Sequence, residues 1–170
     1  MFADLLQKKR APILERWRTL ILGTYPQDTS QFLRSQKDRF LNPVGHTIKE
    51  ETETLFGEFL GGMNKEKVTG SLDRIIRIRS VQDFDPSQAV TFVFLLKGAI
   101  REVLQKEIRE DRLFEELSEF DGKVDEMALV AVDIFMKCRE TIYELRIKEL
   151  KKGALFRSHR EALEGSKAEE

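Results

Sequence analysis

"RIRSVQDFDPSQAVTFVFLL", residues 77–96, decides the fold. Taken alone, Thr91 to Leu96 reads as well as a strand, because Thr, Val and Phe favour sheets. The residues before it point the other way. Asp85 is a good N-cap, Pro86 suits the first helical position, and Gln88 three residues on completes a capping box. A capping side chain contributes ~1 kcal/mol. Downstream, Ala99, Ile100, Val103 and Leu104 continue the run at helical spacing. The stretch therefore predicts a helix that is apolar all round over its first turns. Such a helix belongs at the centre of a bundle.

Working outward, helices are predicted nearly throughout. The first spans about Phe2 to Leu22, with Leu6, Ile13, Trp17, Leu20 and Ile21 near helical spacing, and Pro12 predicts a kink or break near Ala11. A short helix is expected from Asp28, capped by "DTSQ", with Phe32, Leu33, Gln36 and Phe40 on one face. Asn42 caps the next, with Pro43 at its first position, and Gly61-Gly62 stops it. Another runs from about Asn64 to Val81 with Val68, Leu72, Ile75 and Ile76 inward, and the central helix from the opening motif to about Ile108. A short helix holds Leu113, Phe114 and Leu117, and Asp121-Gly122 reads as a break. The last helix, about Lys123 to Lys151, carries an apolar stripe through Val124, Met127, Ala128, Ala131, Ile134, Phe135, Cys138, Ile142 and Leu145. No segment alternates with period two for long enough to be a strand. The expectation is an all-α, single-domain bundle of about six or seven helices with a long C-terminal helix. Residues 1–152 would form the domain and 153–170 a polar, frayed tail.

Composition narrows the function. The 170 residues carry a net charge of −1, which gives no global steering toward nucleic acid or acidic lipid. A single cysteine, Cys138, excludes an internal disulfide and a cysteine-based zinc site, and suits a reducing cytoplasm. The N-terminal segment lacks the pattern of a secretory signal, and the longest uncharged apolar stretch, Ala89 to Leu96, is far shorter than the ~20 residues of a membrane span. A cytoplasmic protein without membrane insertion is expected.

The polar corner at residues 77–83 is the candidate site. Arg79 follows Leu72 by seven residues and Ile75 by four, so it falls on the inward stripe. A buried guanidinium needs a carboxylate or several acceptors. Asp83, one turn later, and Asp38 are the candidate partners, while Arg77 can pair with Asp73 along the surface. One interpretation is structural, with Arg79, Gln82 and Asp83 locking the corner between two helices. The other is a small polar pocket for an anionic or polar ligand, lined by Arg77, Arg79, Gln82, Asp83 and Asp38. His46 sits in a first helical turn, where the positive helix end disfavours an imidazolium. With no second ligand at metal spacing, no metal site is expected, and no acid, base and nucleophile can be assembled into an enzyme. Cys138 is expected to be a small buried hydrophobe. Residues 107–126 form an acidic block and 146–160 a basic one, expected to be solvated faces or docking surfaces.

The stretches "LGTYPQDTSQFLRSQKDRFLNPVGHT" and "LDRIIRIRSVQDFDPSQAVTFVFLLK" resemble the N-terminal domain family of RsbT co-antagonist proteins, over roughly residues 5–150. The most specific pieces are Tyr25-Pro26, Asp38-Arg39-Phe40, Asn42 to His46, and "IRSVQDFDPSQAV". The resemblance implies an all-helical, non-enzymatic sensory module of the kind used in stress-response signalling, related to globin-like dimers that bind no haem. It supplies no ligand and no catalytic residue. Many relatives join the module to a STAS domain or a kinase, and here only the polar residues 153–170 follow the last predicted helix. Antagonism of an RsbT-like kinase is therefore not assumed. The expected function is a cytoplasmic sensory or regulatory domain without cofactor, a homodimer acting on a protein partner of unknown identity. The alternative is a globin-like protein that binds a small ligand, with His46 as the residue to ligate a haem.

Overall fold

The computed structural model describes residues 2–82 and 84–166, with side chains as far as Ser158. Among the described residues there are eight helices and no strand. The all-α expectation holds, with more helices than predicted. They are α1 (Phe2–Lys8), α2 (Arg10–Leu22), α3 (Gln27–Ser35), α4 (Pro43–Gly61), α5 (Lys65–Val81), α6 (Pro86–Val103), α7 (Gln105–Glu110) and α8 (Phe114–Ser166).

The breaks follow local chemistry. Pro12 has no N–H to give Lys8, and its ring crowds that carbonyl, so the chain bends at Lys9 and the predicted first helix becomes α1 and α2. Asn42 caps α4 as expected, its Oδ1 accepting the Gly45 N–H at 2.8 Å. Gly62 ends α4 at φ 106°, a conformation that costs glycine nothing. Asn64 caps α5 through the Lys67 N–H. The predicted capping box of α6 forms, with the Asp85 N–H donating to Gln88 Oε1 at 2.9 Å.

Four expectations are corrected. First, α3 starts at Gln27 with extended Pro26 as its cap, so "DTSQ" makes no capping box, and Asp28 instead sits in the positive first turn. Second, α3 ends at Ser35, which takes Phe40 off its face and leaves that ring 92% exposed. Third, the central helix ends at Val103, and α7 follows after Leu104. Fourth, the break near residue 121 does not occur. The turn lies earlier, where Arg112 takes φ 55°, and α8 runs on through Asp121-Gly122. An interior glycine costs a helix only ~1 kcal/mol, and buried Leu117, Phe120, Val124 and Met127 continue the stripe across it. α8 also passes Gly153, the start of the expected polar tail, and continues to Ser166.

The chain divides into two compact units after Phe135. In the first, α2 packs on α6 and α4 on α5. Its core holds Trp17, Phe56, Phe92 and Leu96, all fully buried. The Trp17 indole N–H donates to the Phe92 carbonyl at 2.7 Å, which ties α2 to α6 in a dry environment where that bond is strong. The second unit is the helical segment from Met136 onward. No residue between Met136 and Ser158 is buried, and Leu145, Ile147, Leu150, Leu155 and Phe156 are exposed. The predicted core stripe therefore ends at Phe135: Cys138 and Ile142 are half-buried and Leu145 is open.

Candidate functional site

Arg79 is 0% exposed, as its place on the inward stripe of α5 requires. Its contacts among the described residues are with groups other than the predicted Asp38. One guanidinium nitrogen, Nη2, donates to Thr24 Oγ1 at 3.0 Å and to the Gln88 carbonyl at 2.9 Å. The other contacts are aromatic. The guanidinium carbon lies 4.2 Å from the centre of the Phe84 ring, 5.3 Å from Tyr25 and 5.8 Å from Phe92. Tyr25 and Phe84 meet edge to face, with ring centres 5.3 Å apart. Ring faces are negative, so three of them offset part of the charge that burial strips of water. Nε and Nη1 of Arg79 have no hydrogen-bond partner among the described residues, and neither do the Tyr25 hydroxyl and Gln82 Oε1. Burial pushes the Arg79 guanidinium below its usual range and the Tyr25 phenol above its own.

The other expected site residues fare differently. Asp38 is exposed, and its Oδ1 accepts the N–H of Phe40 at 2.7 Å and of Leu41 at 3.4 Å. It shapes its own turn, an Asx motif, and is not a partner of Arg79. Arg77 pairs with Asp73 at 2.6 Å on the surface, one helical turn back, as the spacing implies. Gln82 is the half-buried C-cap of α5. Asp83 lies outside the described residues. Arg79 therefore sits in the corner, and Asp38 does not. Thr24, Tyr25, Phe84, Phe92 and the Gln88 carbonyl complete it. His46 is half-buried in α4, its Nε2 2.9 Å from Glu50 Oε1.

Part of the acidic block is used within the first unit. Asp121 pairs with Arg101, Asp125 with Lys97 at 2.6 Å, and Glu107 with Lys9 at 3.1 Å. Among the described residues no helix is long and apolar enough to cross a membrane, and no three His, Cys, Asp or Glu side chains are placed to hold a metal.

A family profile, that of the RsbT co-antagonist protein rsbRD N-terminal domain, matches residues 11–150. The chain belongs to this family. The rsbRD N-terminal match runs from the second residue of α2 into α8, and so takes in the whole Arg79 corner. No curated protein and no solved structure matches the chain. The rsbRD N-terminal family is regulatory, and the all-helical architecture is the one the resemblance implied.

Proposed function

We propose that this chain is a non-catalytic, cytoplasmic sensory or regulatory module, with residues 1–152 as its sensory domain, that works as a homodimer by binding a protein partner in stress-response regulation. Its membership of the rsbRD N-terminal family supports the regulatory role. One observation carries the interaction. Met136, Tyr143, Ile147 and Leu150 are exposed and recur at intervals of seven, four and three residues on one helix. That spacing keeps them on one side. A solvated helix seldom carries so many apolar side chains unless another surface covers them. A second copy offers the same stripe, which suits a two-fold symmetric pairing.

The Arg79 corner is the proposed responsive element. Each buried donor left unpaired costs ~1–3 kcal/mol, so an arrangement that satisfies those groups recovers that cost. A ligand or partner that favours one arrangement shifts the population. A globin-like helix arrangement is part of the same proposal.

Sedimentation of the wild type and of the Ile147→Glu/Leu150→Glu variant tests the dimer. The expected result is a dimer that becomes a monomer with the thermal melt of the first unit unchanged. A monomeric wild type at every concentration would rule the pairing out.

A further inference from the structure

A second site lies away from the corner and does not depend on the dimer. Between α1, α2, α3 and the first half of α4 is a groove of about 750 Å³, open to solvent. Small-molecule sites occupy roughly 300–1,000 Å³. Its floor is apolar, with Leu14, Leu33 and Ile48 buried and Leu22 half-buried. Its walls are basic. Lys8, Arg10, Arg18, Arg34 and Lys49 line it against two carboxylates, Glu15 and Glu53. Five cations less two carboxylates leave +3 on a chain whose net charge is −1.

These cations are only partly neutralised internally. Arg10 and Arg18 share one carboxylate, Glu53, at 3.7 and 3.4 Å. Neutral acceptors hold the guanidiniums in place. Arg18 donates to Thr52 Oγ1 at 2.9 Å and to the Lys49 carbonyl at 2.7 Å, and Arg34 donates to Ser30 Oγ at 3.2 Å and to the Thr19 carbonyl at 3.1 Å. Lys8, Arg34 and Lys49 make no ion pair among the described residues. Burial lowers the Arg18 guanidinium, Glu53 opposes that, and the neighbouring Arg10 lowers it further by repulsion. The groove thus keeps a net positive charge that Glu15 and Glu53 do not balance.

We infer that this groove binds an amphiphilic anion: a carboxylate or phosphate head against Arg18, Arg34 and Lys49, and an apolar body along Leu14, Leu33 and Ile48. Either half of such a ligand alone uses only half of the groove. A charged head without a body makes no use of the apolar floor, and an apolar body without a head leaves Lys8, Arg34 and Lys49 without a counter-charge.

Calorimetric titration of the full chain tests this with four probes: octanoate, octyl phosphate, octanol and inorganic phosphate. Octanoate or octyl phosphate is expected to bind roughly tenfold or more tightly than either octanol or inorganic phosphate, a margin of ~1.4 kcal/mol. Whichever of the two amphiphiles binds more tightly names the head group. Lys8→Glu/Lys49→Glu should lower that affinity by about tenfold or more at low salt with the melt unchanged. Lys8→Gln/Lys49→Gln gives the same direction should the double reversal fail to fold. Lys151→Glu/Lys152→Glu, the same charge change outside the groove, should leave binding as it was. Absence of binding by both amphiphiles would overturn the assignment. So would octanol or inorganic phosphate binding as tightly as either, or equal losses in the groove variant and the Lys151/Lys152 variant.

Discussion

Residues 2–135 and residues 136–158 contain the same kinds of side chain and treat them in opposite ways. Every buried apolar residue among those described falls in the first region. In the second, Leu150 is 69% exposed and Phe156 78%. The first region covers its own apolar surface and pairs many of its buried polar groups: Trp17 finds a carbonyl, and Arg79 finds rings and two acceptors. The second is a helix on which Met136, Tyr143, Leu145, Ile147, Leu150, Leu155 and Phe156 are exposed. One region is built to be stable and the other to be met. Mutations in them should therefore register in different experiments.

The largest effect on stability is expected at Arg79. Arg79→Ala empties a fully buried site and strands the Thr24 hydroxyl and the Gln88 carbonyl, at a cost of about 3 kcal/mol by denaturant unfolding. Arg79→Met keeps the stem and removes the buried charge, and should cost no more than ~1.5 kcal/mol. If Met were as damaging as Ala, the guanidinium itself would be essential to the corner. In the second region, Ile147→Glu/Leu150→Glu should weaken self-association by at least about a hundredfold, ~2.7 kcal/mol, because it puts charge into a paired apolar stripe. The melt of the first region should not move. A smaller loss, about 1–2 kcal/mol, is expected for Thr24→Val, which takes one of two acceptors from Arg79. That change should leave association untouched, and a dimer lost on Thr24→Val would dissolve the contrast.

The smallest effect is a pH dependence. The Tyr25 phenol is pushed above its ordinary value of 10.0 because burial disfavours the phenolate. The folded state then holds its proton longer than the unfolded one. This contribution to stability is complete below pH 10 and is lost as pH rises through the folded value. Melts above pH 10 should fall more steeply for the wild type than for Tyr25→Phe. Parallel slopes would show that Tyr25 is not the group that titrates.

The fold was legible where the signals are local. Asp85-Pro86 with Gln88, Asn42-Pro43 and Gly62 each placed a helix end within a residue, because capping depends on neighbours three or four positions away. Arg79 was legible as buried for the same reason, through its spacing from Leu72 and Ile75. Its surroundings were not. Thr24 is 55 residues distant, and the Gln88 acceptor is a backbone carbonyl, which no side-chain pattern marks. Asp38 misled because its charge suggested a salt bridge, whereas its carboxylate serves the backbone of its own turn. Gly122 misled because an interior glycine is a weak breaker when the apolar stripe continues on both sides of it. The basic groove was invisible because its cations come from four helices and are spread over residues 8–49.

Hydrogen exchange of the full chain, followed by mass spectrometry over residues 136–158 across a dilution series, tests the central claim most directly. A helix covered by a second copy protects its amides, and a lone solvated helix does not. Protection is expected to rise with protein concentration in the wild type and to disappear in Ile147→Glu/Leu150→Glu, with protection around Arg79 equal in both. Rapid exchange of 136–158 in the wild type at every concentration would contradict it.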